Sequence, residues 1–209
     1  TYNISMNTKS DVNPMDRIRG LLKDQNGILF TSDLVKSGIP STYLSLLVKK
    51  GELQRVCRGV YSAANDTMVD EMASLQARYK GAVFSHETAL FLLGLTDRTP
   101  LYYSMTVPSR YNATPLKASG VKVYFVNRRL LPLGAITIQS PHGNDIKTFN
   151  LERTLCDVLR NRNQMDVQLV NEALKKYVIR KDRNIDQLYE LARQFRVQRI
   201  VREYIEVLL

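Results

Sequence analysis

The chain is poor in cysteine and in acid, and both shortages narrow what it can be. Two cysteines, Cys57 and Cys156, stand far apart, with no CxxC pair and no Cys/His cluster. Zinc sites need such clusters, so no metal is expected, and the thiols read as buried side chains in a reducing cytosol. No apolar run approaches the ~18 residues that a membrane span requires, and no signal-peptide pattern opens the chain. The expectation is a cytoplasmic protein without membrane contact. There is no P-loop and no GxGxxG, and no cofactor is expected. No internal repeat or low-complexity tract interrupts the sequence. Its 20 acidic residues face 30 lysines and arginines in 209 residues, a formal net charge of +10. That excess points to an anionic partner, nucleic acid first and a membrane surface second. It is spread along the chain: residues 1–64 hold nine basic and five acidic side chains, and residues 65–209 hold 21 and 15.

What the sequence does contain is one well-punctuated stretch, Ile28 to Tyr61, reading ILFTSDLVKSGIPSTYLSLLVKKGELQRVCRGVY. Thr31 suits the N-cap of a short helix whose buried side is Leu34 and Val35. Gly38 suits the left-handed residue that closes it, and Pro40 prevents its continuation. Ser41 or Thr42 can cap a second helix that runs to about Lys50. At about 100° per residue, Leu44, Leu47 and Val48 share one side of that helix, and Thr42, Ser45, Leu46 and Lys49 the other. Tyr43 and Lys50 fall together on a flank. Gly51 ends the helix, and Leu53–Ala63 reads as a β-hairpin turning at Arg58-Gly59. This is the pattern of a winged helix-turn-helix, which lays its second helix in the DNA major groove. Residues 41–64 carry Lys49, Lys50, Arg55 and Arg58 against one acid, Glu52. The DNA-contacting set is therefore Ser41, Thr42, Tyr43, Ser45, Lys49, Lys50, Arg55 and Arg58. The cations set affinity, and Thr42, Tyr43 and Ser45 set sequence preference.

The chain divides into a flexible N-terminus over residues 1–13, the winged domain over 14–63 and a second domain over 67–209. A helix from Pro14 to Asn26 buries Ile18, Leu21 and Leu22, and Ile28–Phe30 forms a strand that pairs with the wing. After a linker at 64–66, a helix is expected over 67–79. Strands follow at 82–84, 102–107, 121–126, 135–139 and 146–149, with a helix over 86–93. The last 60 residues are helical, and the final segment, from Ile185, breaks near Arg196. The fold class is α+β: a winged helix-turn-helix, then a mixed α/β domain with a helical end.

Two constellations suggest enzymes. Ser85-His86-Glu87 sets a nucleophile type beside a base, but adjacent residues diverge on a helix, and Ser85 reads as an N-cap. Asp145-Ile146-Lys147 fits half of a Mg²⁺ nuclease site, yet no predicted strand supplies the second acid and a hairpin turn explains the same residues. No enzyme is expected. A nuclease at Asp145 and Lys147, or a winged helix that binds protein, stands as the alternative. Elsewhere, Arg199 and Arg202 sit at pairing distance from Glu203 and Glu206. Arg128-Arg129, Lys175-Lys176 and Arg180, Lys181 and Arg183 have few nearby acids and form a candidate second basic surface.

The stretch from Thr31 to Tyr61, with FSHETALFLLGL, MTVP and FNLERTLCDVL further on, resembles the AbiEi-type antitoxins of bacterial abortive-infection systems, the type IV toxin–antitoxin modules. The resemblance implies a two-domain cytoplasmic protein without catalytic residues. Its first domain would repress its own operon by binding inverted repeats in double-stranded DNA, monomeric when free and cooperative on DNA. Its second would counter a nucleotidyltransferase-like toxin without a stable complex, conferring phage resistance. Carried over, the recognition helix falls on Ser41–Lys50 and the wing on Leu53–Ala63.

Overall fold

The computed structural model describes residues 13–64 and 70–208. The flexible segment expected over residues 1–13, and the start of the helix expected from Thr67, lie almost wholly outside the described residues. The chain forms two compact units, one of residues up to Arg78 with Pro141–Asn144, the other of Tyr79–Ser140 with Asp145 onward.

In the first unit, helix α1 (Pro14–Asp24) opens on Asn13, whose Oδ1 accepts from the Met15 N–H at 3.0 Å. Strand β1 (Ile28–Phe30), helices α2 (Thr31–Lys36) and α3 (Thr42–Lys49), and strands β2 (Leu53–Cys57) and β3 (Val60–Ala63) follow, then α4 (Glu71–Arg78). The sheet is antiparallel in the order β1-β3-β2, with Phe30 opposite Val60 and Leu53 opposite Ala63. This is the order and pairing of a winged helix. Its core is Ile18, Leu29, Leu34, Ile39, Leu44, Leu47 and Leu53, all buried. Each such side chain contributes roughly 1.5–3 kcal/mol of transfer free energy. Arg78 Nη2 donates to the Val56 carbonyl at 2.7 Å, tying α4 to the hairpin.

Three local expectations change here. Thr31 is not the N-cap: it begins α2, and the Asp33 carboxylate accepts from the Phe30 N–H at 3.2 Å instead. Val35 is 71% exposed, because a six-residue helix that buries Leu34 turns the next side chain about 100° away. Val48 is likewise exposed, at the border of the face that buries Leu44 and Leu47.

The second unit holds a five-stranded sheet: β4 (Val83–Phe84), β5 (Ser104–Pro108), β6 (Lys122–Val126), β7 (Ala135–Gln139) and β8 (Asp145–Phe149). The order is β6-β5-β4-β8-β7, with β5 parallel to β6, β4 parallel to β8, and the β4–β5 and β7–β8 pairs antiparallel. Helices α5 (His86–Leu92), α6 (Thr114–Ala118), α7 (Leu151–Arg160), α8 (Val167–Ile179), α9 (Ile185–Gln194) and α10 (Gln198–Leu208) complete it. Helix α7 is buried from Leu151 to Leu159 and packs among residues of α5, α8, α9 and α10. The break near Arg196 is where expected: that residue takes φ 58°, between α9 and α10. Tyr102, expected at a strand start, is 65% exposed and precedes β5, while the short α6 was not foreseen in the sequence.

One arginine sits inside this unit. Arg153 is fully buried; its Nε bonds the Asp157 carboxylate at 3.0 Å, and its Nη1 donates to the carbonyls of Leu130 and Leu133 at 2.8 and 2.7 Å. Nη2 has no hydrogen-bond acceptor, but the guanidinium lies 4.1 Å from the Phe149 ring centre and 3.9 Å from that of Phe195. The ring faces stand in for the missing acceptor. Gly134, with φ 71°, lets the 130–134 loop close onto this group: a Cβ there would fall 2.6 Å from Arg153 Cβ and 2.7 Å from Asn150 Oδ1.

Candidate nucleic-acid interface

The turn between α2 and α3 is built as its residues dictate. Gly38 adopts φ 66°, its N–H bonds the Val35 carbonyl at 3.1 Å, and the Ile39 N–H reaches the Leu34 carbonyl at 2.8 Å. This double closure frees Ile39 to enter the core and sends the chain into α3. Arg17 Nη2 clamps the turn from α1 by donating to the Ser37 carbonyl at 2.7 Å. Neither Ser41 nor Thr42 caps α3 with its side chain; Ser41 already has helical dihedrals, so its hydroxyl stays exposed and available.

Along α3 the outward face is Thr42, Ser45, Leu46 and Lys49, all exposed. Leu46, 43% exposed, is an apolar residue in the middle of that face. Tyr43 is half-buried against the core, a wall of the face more than part of it. Lys50 packs its amine 3.7 Å from Met15 Sδ. In the hairpin, Gly59 takes φ 79° and its carbonyl accepts from the Thr31 N–H at 2.9 Å, fixing the tip against α2. A bulge at Val56 interrupts the register between Arg55 and Cys57. Arg55 and Arg58 are exposed, and Arg55 Nε donates to the Cys57 carbonyl at 3.3 Å.

The electrostatics favour an anion here. Glu52, the acid within this stretch, is held by Arg19, whose Nε and Nη2 bond its two oxygens at 2.9 and 3.0 Å. Among the described residues none of Lys49, Lys50, Arg55 and Arg58 enters an ion pair. Arg17 and Arg19 were missed as contributors. Arg19 lies 33 positions from Glu52 and Arg17 lies 20 from Ser37, and helical periodicity gives no signal for such pairings.

The candidate second basic surface is less uniform than its sequence suggests. Lys176 bonds Asp97 at 2.7 Å and Glu172 at 3.3 Å, and Arg180 holds Asp182 through two bonds of 2.8 and 2.7 Å. These two cations are paired where few acids are near in sequence: Asp97 is distant along the chain, and Glu172 sits one helical turn back. Arg183 donates to the Arg180 carbonyl at 2.9 Å. Arg128, Arg129, Lys175 and Lys181 are exposed and, among the described residues, outside any ion pair.

The two enzyme constellations fare differently. Ser85 and His86 do meet, Oγ to Nδ1 at 3.0 Å, because His86 adopts φ 49° at the helix start. Ser85 does not cap the helix; its Oγ accepts from the Thr106 hydroxyl at 2.8 Å. His86 Nε2 contacts Asn161 Nδ2 at 3.0 Å, and the ring stacks on Tyr124 at 3.4 Å. Burial, then the charges of Lys122, Arg153 and Arg160, hold His86 well below its usual pKa. With Ser85 and His86 both sealed from solvent, the group is a buried polar knot and not a reactive pair. Asp145 opens β8 opposite Gln139 and is not a turn residue. Among the described residues no group of three or more His, Cys, Asp or Glu side chains gathers as a metal site. Cys156 is buried, and burial first, then Asp157, pushes its thiol up to about 12.

Residues 16–64 match a family model described as transcriptional regulator, AbiEi antitoxin. That segment is similar to the AbiEi antitoxin family. The matched residues run from α1 to the end of the hairpin, so the match covers the candidate interface just described. The resemblance seen further on, in FSHETALFLLGL and FNLERTLCDVL, lies outside the matched residues. The crystal structure of the RV2827C protein from Mycobacterium tuberculosis resembles this chain with a TM-score of 0.59 and 16% identity, over 87% of this chain and 72% of that one. At that identity the likeness is one of fold. A search of curated protein sequences gives no match. Among the described residues no helix is long and apolar enough to cross a membrane.

Proposed function

We propose that this AbiEi-type protein is a cytoplasmic repressor that binds double-stranded DNA at inverted repeats upstream of its own toxin–antitoxin operon. On this reading α3 lies in the major groove and the Arg58-Gly59 tip meets the flanking backbone. Lys49, Lys50, Arg55 and Arg58 neutralise phosphates, and Ser41, Thr42 and Ser45 reach base edges or sugar-phosphate oxygens. Tyr43 shapes the edge of the contact. The observation that carries the reading is the exposed, unpaired set of cations on α3 and the hairpin, with the neighbouring acid already taken by Arg19. The chain binds as a free monomer that associates cooperatively on the two half-sites. Its second unit acts as the antitoxin of a type IV system, opposing a nucleotidyltransferase-like toxin in phage defence without a stable complex and without catalysis of its own. Arg128, Arg129, Lys175 and Lys181 add a second contact with backbone phosphate.

The test separates affinity from readout. Arg58→Ala should weaken binding to operator and random DNA alike and reduce the slope of log K against log salt by about 0.9. Ser45→Ala should keep the slope and lose discrimination between the two. Equal losses on both DNAs for both variants would contradict the assignment. Salt-insensitive capture of a protein partner with no DNA shift would make the winged unit a protein-binding module.

A further inference from the structure

A cleft at one end of the second unit's sheet has the composition of a ligand site. Strands β5 and β6 run parallel and stop level, Pro108 opposite Val126. Two positions past each end stands an exposed arginine, Arg110 and Arg128. Both turns are fixed. The Ser109 N–H and hydroxyl donate to the Val126 carbonyl at 2.7 and 2.9 Å, and the Tyr111 N–H reaches the Pro108 carbonyl at 3.0 Å. Arg110 itself is held at φ 71°, a conformation that non-glycine residues seldom adopt. On the other side the Arg129 N–H bonds Asn127 Oδ1 at 3.0 Å.

Two cavities adjoin at this point and share Pro108 and Arg128. One, of about 700 Å³, holds Arg110, Tyr111 and Asn127. The other, of about 490 Å³, is lined mainly by apolar groups, among them Val83, Leu131, Pro132 and Ile136, together with Lys80 and Lys147. No carboxylate lines either one. Among the described residues Lys80, Arg110 and Arg128 form no ion pair. The wall carrying Leu131 and Pro132 is held by the two bonds from Arg153 to the carbonyls of Leu130 and Leu133. A wall fixed in advance lowers the ordering cost of binding.

We propose that this cleft binds a nucleoside phosphate, with the phosphates between Arg110 and Arg128 and the base on the apolar lining beside Tyr111. Guanidinium groups pair phosphate oxygens two at a time, and a base offers the flat apolar face that the lining and the tyrosine ring accept. Bare phosphate would leave the apolar lining unused, and an uncharged aromatic would leave two arginines without a partner. The phosphate can belong to a free nucleotide or to the end of an RNA strand. This assignment needs none of the first unit's contacts with DNA, and it gives Arg128 a nucleotide phosphate in place of the DNA phosphate offered above.

The experiment titrates the full chain into a fluorescently labelled nucleoside triphosphate and follows anisotropy. Tripolyphosphate and a short 5′-phosphorylated single-stranded RNA serve as competitors. Saturable binding below about 1 mM is expected. Arg110→Gln and Arg128→Gln should each weaken it about tenfold, as expected for losing a charge-assisted bond. Arg199→Gln, which removes the same charge from α10, should leave it unchanged, and melting curves should show all three variants folded. Tripolyphosphate should compete at least about tenfold less well than the unlabelled nucleotide. If the RNA competes better than free nucleotide, the natural source is an RNA end; if worse, it is a free nucleotide; either supports the site. No saturable binding, equal weakening by Arg199→Gln, or tripolyphosphate competing as well as the nucleotide would overturn it.

Discussion

Replacing Arg153 with methionine removes one cation and exposes how the second unit is held together. The guanidinium pairs with Asp157, caps two carbonyls of the 130–134 loop and lies over two phenylalanine rings. Methionine keeps much of the volume but leaves a buried carboxylate and two carbonyls without donors. Breaking a buried pair from one side costs about 3–5 kcal/mol. With a urea slope of about 2 kcal/mol per molar, the midpoint should fall by roughly 1.5–2.5 M. The loss should depend on pH. Burial already raises Asp157 to about 6 despite the arginine, and removing the arginine raises it further. A folded carboxyl raised above its unfolded value takes up a proton as pH falls, so the deficit should be largest above pH ~7 and shrink toward pH ~5. The double variant Arg153→Met/Asp157→Leu removes the stranded charge and should recover more than about 1 kcal/mol. Urea unfolding followed by circular dichroism at the two pH values reads all of this. A single-variant cost under about 1 kcal/mol, or a double variant as weak as the single, would show that Arg153 does not hold this unit together.

Gly134→Ala should cost about 2–4 kcal/mol in the same assay, from the left-handed backbone and the collision with Arg153 and the α7 cap at Asn150; a neutral result would contradict the close approach. His86 is held neutral, while its unfolded form takes a proton below pH ~6.5, so the wild type loses stability as pH falls through that value. His86→Asn tolerates the positive φ and removes the titration. Relative to it the wild type should lose about 1.4 kcal/mol more at pH ~5.5 than at pH ~8. Asp157 acts in the opposite direction over this window in both proteins and cancels in the difference. Parallel pH profiles for the two proteins would refute the neutral histidine.

What could be read in the sequence was local. Gly38, Pro40 and Gly51 punctuate α2 and α3, and Arg58-Gly59 marks the hairpin, because helix ends and tight turns are set by neighbours within a few positions. The five strands of the second unit, and the break at Arg196, were legible for the same reason. Helix α6, only five residues long, carries too little periodicity to register. Pairings across the chain were not legible. Arg19 meets Glu52, and Lys176 meets Asp97, through folding alone, so the charge count overstated the free cations of α8 and missed the neutralised acid beside the outward face of α3. Nothing in FNLERTLCDVL marks Arg153 as different from any other charge, yet it is sealed inside the unit. The cleft is made by strand ends that become neighbours only when β5 and β6 pair.

The most direct measurement is a gel shift of the full chain with its own upstream DNA, run beside a residue 1–64 fragment at two salt concentrations, with a scrambled duplex as control. The full chain should give a specific shift that weakens as salt rises, and the fragment a weaker one where Arg128, Arg129, Lys175 and Lys181 add phosphate contacts. No preference of the full chain for the upstream DNA over the scrambled duplex would contradict the repressor reading.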